Sequence, residues 1–300
     1  SEVEGGGTLS DSLAKFPRVF NDVYISLVAA GETSGTLDKS LERLANQQEK
    51  DAEIIAKVRG AMIYPILVLV VLAAVVIFML TTILPQVETL YNSLPGAKLP
   101  FITEALLAVS KALIKYWWIM VSVLIIGGFF LGRWSRTPGG RSSLDNIKLH
   151  TPPFKELFRK LYMARFARTA STLVASGIPM IKMLNTTAQA VGNVHVAASV
   201  NRAAEEVRTG KNLSDSLKGD PNFMPLVPDM IKIGEQSGSL ESMMSKTADY
   251  YEKEVDNQIK TISTVIEPAL MVVVGVMALV VVAAVLLPIY SLAGNNLLGK

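Results

Sequence analysis

The stretch GAMIYPILVLVVLAAVVIFMLTTILPQV, residues 60–87, holds 28 positions without a single charged side chain and decides the fold. Two further stretches, residues 116–132 and 268–299, are likewise uncharged. A helix needs about 20 apolar residues to cross the hydrocarbon core of a bilayer. We therefore predict an all-α, polytopic membrane protein. Its three transmembrane helices are expected at residues 61–85, 116–133 and 266–290.

The composition supports a membrane protein with substantial soluble mass. Of the 300 residues, 50% are hydrophobic and 18% are charged, and the mean hydropathy is +0.37. Soluble domains carry about 25% charged residues. The chain has no cysteine, which excludes a disulfide framework, a cysteine nucleophile and a cysteine-based zinc site.

Basic residues are distributed unevenly around the three segments. Residues 1–60 carry seven Lys and Arg and residues 133–265 carry eighteen, whereas residues 86–116 carry three. Cytoplasmic loops near a membrane are enriched in these residues, so the first two regions are predicted to be cytoplasmic. The remaining expected segments are an external loop with an amphipathic helix at 86–115, a linker at 134–153, a helical domain at 154–265 and an external tail at 291–300.

Comparing the chain with itself shows an internal repeat. The motif TLSDSL at 8–13 returns as NLSDSL at 212–217, and GETSG at 31–35 returns as GEQSG at 234–238. Two proline pairs keep the same spacing of 203 residues, namely Pro65 with Pro268 and Pro85 with Pro288. We predict two duplicated cytoplasmic helical-bundle domains. The first, at residues 1–60, is expected to be truncated and to extend N-terminally in the natural protein.

The repeated turn predicts helix ends. Gly31 and Gly234 are expected to end one helix in the left-handed conformation, and Ser34 or Gly35 is expected to cap the next. Thr8 and Asn212 are predicted N-caps. The repeat motif, a candidate partner interface, comprises Gly31, Glu32, Ser34, Gly35, Gly234, Glu235, Ser237 and Gly238.

These residues resemble the PilC/GspF family, the inner-membrane platform proteins of type IV pilus and type II secretion systems. The resemblance extends over nearly the whole chain. Besides the two GExSG turns, it rests on a membrane-boundary motif and a helix-turn motif. The boundary motif comprises Tyr64, Pro65, Pro85, Glu267, Pro268 and Pro288. The helix-turn motif comprises Phe166, Gly177 and Pro179.

The resemblance implies a bacterial inner-membrane scaffold with two six-helix cytoplasmic domains. It also implies a homo-oligomer that contacts a hexameric cytoplasmic assembly ATPase, pilin or pseudopilin subunits and other inner-membrane assembly proteins. The expected function is to couple the ATPase to assembly of a pilus or pseudopilus. The alternative is an oligomeric transporter or channel built from the duplicated helical unit.

Motifs for catalysis are missing from the sequence. It contains no GxxxxGK[ST] phosphate loop, no GxSxG and no HExxH. The histidines, His150 and His195, have no second ligand at metal spacing, and His150 is expected in the linker. We therefore predict no enzyme activity, no cofactor and no metal site.

Three groups of charged residues leave alternatives open. Glu32 and Glu235 either help to present a docking surface for the ATPase or a neighbouring subunit, or interact with the N-terminus of the next helix. Glu267 adjoins the third span, where a structural role is favoured over proton conduction. A basic cluster is expected to attract anionic membrane lipid, with an acidic partner surface second and nucleic acid disfavoured. The cluster consists of Lys155, Arg159, Lys160, Arg165 and Arg168.

Overall fold

The computed structural model describes residues 6–17, 19–93, 101–152 and 154–298. At 90–92, 102, 287–289 and 291–298 it describes the backbone only. Every regular element in these ranges is helical, which confirms the all-α class. The α-helices are α1 (Leu9–Ala14), α2 (Asp22–Ser34), α3 (Leu37–Phe78), α4 (Leu84–Asn92), α5 (Phe101–Trp134), α6 (Pro138–His150), α7 (Phe154–Ala175), α8 (Met180–Ala190), α9 (Val194–Arg208), α10 (Leu213–Leu217), α11 (Leu226–Ser237) and α12 (Leu240–Leu298).

The chain divides into two compact units, and the first combines residues 1–59 with 134–261. Its hydrophobic core is centred on Phe166, which is fully buried and packs edge-on against Phe223 with ring centroids 5.1 Å apart. Val23 and Leu27 of α2 belong to the same core. The two regions predicted to be cytoplasmic, which were expected to form separate helical domains, therefore share one core. Helix α2 joins the two regions by packing against α7 and α8.

The segment 134–153, expected as a linker, contains helix α6. Thr137 caps this helix through its hydroxyl, which accepts from the Gly140 N–H, and Pro138 occupies the first turn. Leu149 is buried in the core of the first unit. The Asp145 carboxylate accepts a 3.1 Å hydrogen bond from the Val194 N–H at the start of α9. These contacts make α6 part of the first unit, and His150 is its last residue.

Three helices are long and apolar enough to cross a membrane, which confirms the predicted number of spans in the described part of the chain. They run over Leu37–Thr89, Thr103–Trp134 and Leu240–Leu286. The first span begins in the C-terminal part of α3 and continues into α4, and the third span is formed by the C-terminal part of α12. Prolines at 65 and 268 are accommodated inside these helices. Helix α12 also continues to Leu298, through most of the expected tail at 291–300.

The second unit combines residues 60–133 with 262–300. In its first span the helix passes into a π-helical segment, Met79–Ile83, in which the Leu84 N–H bonds back to the Met79 carbonyl. In this register the Leu80 carbonyl would pair with residue 85, a proline without an N–H. The Ser110 hydroxyl of α5 donates to that carbonyl instead. The exchange satisfies a polar group that would otherwise be orphaned in an apolar environment.

Candidate interaction site at the duplicated glutamate turns

Helices α2 and α11 end in the same way. Gly35 and Gly238 are their C-caps and adopt left-handed conformations, with φ of 66° and 67°. The Thr36 N–H donates to the Gly31 carbonyl at 2.9 Å, and the Ser239 N–H donates to the Gly234 carbonyl at 2.9 Å. Glycine adopts this conformation at low cost, so the last glycine of GExSG is the one that ends the helix.

The first glycine of each motif has a different role from the expected one. Gly31 and Gly234 lie inside α2 and α11 and are buried, so they do not end these helices. A Cβ on Gly31 would lie 2.7 Å from the Ser40 Oγ, and a Cβ on Gly234 would lie 2.8 Å from the Leu240 Cα. These two positions therefore require glycine, because the following helix packs directly against them and leaves no room for a side chain.

The serine of each turn closes the end of its own helix. The Ser34 hydroxyl donates to the Ala30 carbonyl at 2.7 Å, and the Ser237 hydroxyl donates to the Ile233 carbonyl at 2.6 Å. Neither serine caps the next helix by its backbone position, since both are the last residues of α2 and α11. Each hydroxyl bonds to the carbonyl four residues earlier in the same helix, a local contact that serine makes readily.

Glu32 binds the N-terminus of α1 as a bidentate cap. One carboxylate oxygen accepts from the Leu9 N–H, and the other accepts from the Ser10 N–H at 3.0 Å and from the Ser10 hydroxyl at 2.6 Å. The hydrogen bonds from the Ser10 hydroxyl and backbone hold the pKa of Glu32 below its ordinary value. The carboxylate replaces the partners that the first N–H groups of a helix lack.

Glu235 makes the equivalent contacts with α10. It accepts from the Leu213 N–H at 2.7 Å, from the Ser214 N–H at 3.3 Å and from the Ser214 hydroxyl at 2.6 Å. The expected contact between these glutamates and the next helix is wrong in one respect: the helix that each holds precedes the turn. The TLSDSL and NLSDSL motifs thus act together with GExSG.

The carboxylates are turned inward, and the surface of each turn is formed by its small polar residues. Ser34 and Gly35 are exposed, as are Ser237 and Gly238. No group of three His, Asp or Glu residues that could hold a metal ion occurs in the parts of the chain that the structure describes.

The helix-turn motif lies in the first unit. Phe166 is in the middle of α7, and Gly177 follows the end of α7 with φ of 72°. Pro179 is the N-cap of α8. This motif positions the core and does not line the glutamate turns.

The membrane-boundary motif lies in the second unit. Tyr64 and Glu267 are exposed and Pro65 is buried, while Pro85 is the second residue after the π-helical segment. The side chain of Pro288 lies outside the described residues. The motif therefore belongs to the second unit, whereas both glutamate turns belong to the first.

The basic cluster is largely paired within the first unit, which argues against the expectation that it attracts anionic membrane lipid. Arg168 donates to Glu252 at 2.8 Å, and Lys160 donates to Glu254 at 2.8 Å. Arg159 donates to the Pro221 carbonyl, and Arg165 lies 3.9 Å from Asp51. The cations hold α7 against α3, α12 and the loop before α11.

Sequence reasoning did not find the contact between the two repeat-equivalent long helices. Lys57 of α3 donates to Asp256 of α12 at 2.7 Å and also pairs with Glu53 at 2.8 Å. These two pairs raise the pKa of Lys57 above its ordinary value. The repeated Glu-Lys pairs at 49–50 and 252–253 were the available signal, but they do not by themselves show which helices meet.

The fold defines a class: an all-α protein with three candidate membrane spans and a helical unit built from the segment before the first span and the segment between the second and third spans. The family described as "Type II secretion system (T2SS), protein F" matches residues 1–85 and 166–288, each containing one glutamate turn. The chain belongs to this family, which confirms the resemblance.

The relatives are named for one of two systems, type IV pilus assembly or type II secretion. The chain is 39% identical over 297 residues to "Type IV pilus assembly protein PilC" of Thermus thermophilus, covering 98% of this chain and 72% of the relative. It is 38% identical to the protein of the same name from Pseudomonas aeruginosa, covering 98% and 78%. It is 36% identical to "Type II secretion system protein F" of Vibrio cholerae, covering 100% and 73%.

Proposed function

We propose that this chain is a non-enzymatic platform of the bacterial inner membrane that couples a cytoplasmic assembly ATPase to assembly of a type IV pilus or type II secretion pseudopilus. The observation that carries the proposal is the family match over both halves of the chain. Relatives named for pilus assembly and for type II secretion match nearly its full length. Its partners would be pilin or pseudopilin subunits, other assembly proteins and further copies of itself.

The long helices suggest how coupling works. Helices α3 and α12 each contribute residues to both compact units. A helix is held together by its own backbone hydrogen bonds, so a displacement of its cytoplasmic part is passed along its axis toward the span. The Lys57–Asp256 pair links the two helices before they enter the second unit.

The ATPase contact is proposed to lie on the exposed residues of the glutamate turns. Thr33 and Gln236 are exposed neighbours of the inward-facing glutamates. A photo-crosslinking amino acid at either position should capture the ATPase in membranes of the source organism. Asp215, exposed on α10, provides the control position and should not capture it. Capture at all three positions, or at none, would contradict this placement.

The platform function itself is tested by gene deletion. Loss of the chain should abolish pilus or pseudopilus assembly while the membrane pool of pilin or pseudopilin persists, because subunits are made but not transferred. Unimpaired filament assembly, together with ion flux in proteoliposomes containing the purified chain, would favour the transporter alternative.

A further inference from the structure

A basic cleft lies in the first unit where the chain leaves the second span. It has a volume of about 500 Å³, within the range of about 300–1,000 Å³ that ligand sites occupy. Helix α6, the turn before it and the loop before α9 form its walls. The lining residues are Ser135, Arg136, Arg141, Leu144, Asp145, Lys148 and Gly192.

The charges of this cleft do not cancel. Among the lining residues, only Asp145 carries a carboxylate, and the Asp145 side chain is 3% exposed. One of its oxygens pairs with Lys148 at 2.9 Å and the other accepts from the Val194 N–H. Arg136 and Arg141 are exposed, and no acidic partner for either guanidinium occurs in the described ranges. Two positive charges therefore face the cleft without a counter-charge.

The position along the chain places the cleft close to a bilayer surface. The second candidate span ends at Trp134, and consecutive Cα atoms are about 3.8 Å apart. Arg136, two residues later, is therefore no more than about 8 Å from the end of the span. Exposed tryptophan at such an end is typical of the interface between hydrocarbon and headgroups.

We propose that this cleft binds the phosphate group of an anionic membrane phospholipid through Arg136 and Arg141. Guanidinium groups match phosphate oxygens with two parallel hydrogen bonds, and basic residues next to a span attract anionic headgroups. Leu144, half-buried in the cleft wall, offers an apolar surface to the glycerol end of the lipid. The inference concerns lipid binding and does not depend on coupling to an ATPase.

The test uses the full chain in a non-ionic detergent and native mass spectrometry with dioctanoyl-phosphatidylglycerol. The double variant R136Q/R141Q should bind this lipid about 30-fold more weakly, since each basic residue near a headgroup contributes about 1 kcal/mol. Both arginines are exposed, so the fold should persist, and the single variants R136Q and R141Q provide the same readout separately.

The matched control is K218Q/K232Q, which removes two exposed charges elsewhere in the same unit and should leave lipid binding unchanged. R136K/R141K should retain part of the affinity, because lysine keeps the charge but not the planar fork. Equal weakening of lipid binding by R136Q/R141Q and by K218Q/K232Q would overturn the proposal. So would equal binding of dioctanoyl-phosphatidylcholine, or binding of soluble glycerol 3-phosphate as tight as that of the lipid.

Discussion

Helix α1, held by Glu32, and helix α10, held by Glu235, are equivalent in sequence but differ in burial. In α10, Leu213 is 2% exposed and Leu217 is 0% exposed. Their counterparts in α1, Leu9 and Leu13, are only half-buried. The second-copy helix is part of the hydrophobic core of its unit, whereas the first-copy helix lies at its margin.

The two helices also differ in how their N-termini are capped. The Thr8 hydroxyl accepts from the Asp11 N–H at 3.1 Å, so α1 has a side-chain cap in addition to Glu32. The side chain of Asn212 makes no capping hydrogen bond, and α10 therefore relies on Glu235. The same motif thus contributes a different share of the stability in each copy.

The largest expected difference comes from the leucines that end the two motifs. L217A should lower the free energy of unfolding of the full chain by about 2–5 kcal/mol, because it leaves a cavity in a packed core. L13A should cost less, about 1–2 kcal/mol, because Leu13 is only partly buried and some of its side chain already faces solvent. Pulse proteolysis in urea and mild detergent measures both. Equal losses would show that the two helices are equally buried.

The first glycines of the turns provide the second comparison. G234A should destabilise by about 1–3 kcal/mol, since the added methyl group meets the backbone of Leu240 and one helix must move. G31A should cost a similar amount, because its Cβ would lie 2.8 Å from the Ser40 Cβ and 3.0 Å from the Leu37 Cα, neither of which a side-chain rotation moves. Thermal unfolding of both variants in the same detergent provides the measurement. A negligible loss for either variant would refute the close approach of the following helix at that glycine.

The glutamates themselves provide the third comparison. E235A should cost about 0.5–2 kcal/mol, the usual effect of removing a helix cap. E32A should cost less, because Thr8 continues to cap α1. Hydrogen exchange at the Leu213 and Leu9 amides reports each helix start separately. The prediction is that α10 depends on its glutamate more than α1 does. Faster exchange of the Leu9 amide in E32A than of the Leu213 amide in E235A would contradict it.

The smallest effect concerns two acidic residues in equivalent positions, Asp51 and Glu254, whose pKa values shift in opposite directions. Burial raises the pKa of Asp51 above 3.8, and the hydrogen bond from Lys160 lowers the pKa of Glu254 below 4.5. Asp51 therefore stabilises the fold most at a pH below 3.8, and this contribution is lost as the pH rises through its folded pKa. Glu254 contributes above pH 4.5, and its contribution is lost as the pH falls through its folded pKa.

Two isosteric variants test this opposition. D51N should gain stability relative to the natural chain between pH 4 and pH 7, because the buried charge is gone. E254Q should lose stability over the same interval, because Lys160 loses its charged partner. Denaturation midpoints across this pH range provide the measurement. Parallel pH profiles for the two variants would contradict the opposite environments of the two positions.

The sequence was sufficient for the features that depend on local composition and on repetition. Residues 60–87 are uncharged over a length that only a membrane helix uses, so the span was predictable. The glutamate turns were found because two copies stand in register. The role of Gly31 was not predictable, because a glycine that ends a helix and a glycine that lies beneath another helix look alike in sequence.

By itself, the sequence determined the helical class, the number of candidate spans, the paired GExSG turns and the family. These follow from hydrophobicity and identity along the chain, which do not depend on distant contacts. Only the tertiary structure decided that Glu32 and Glu235 cap the helices that precede them, that α6 replaces the expected linker, and that Asp51 and Glu254 differ. Each of these depends on residues far apart in sequence, and their burial and partners exist only once the helices have packed.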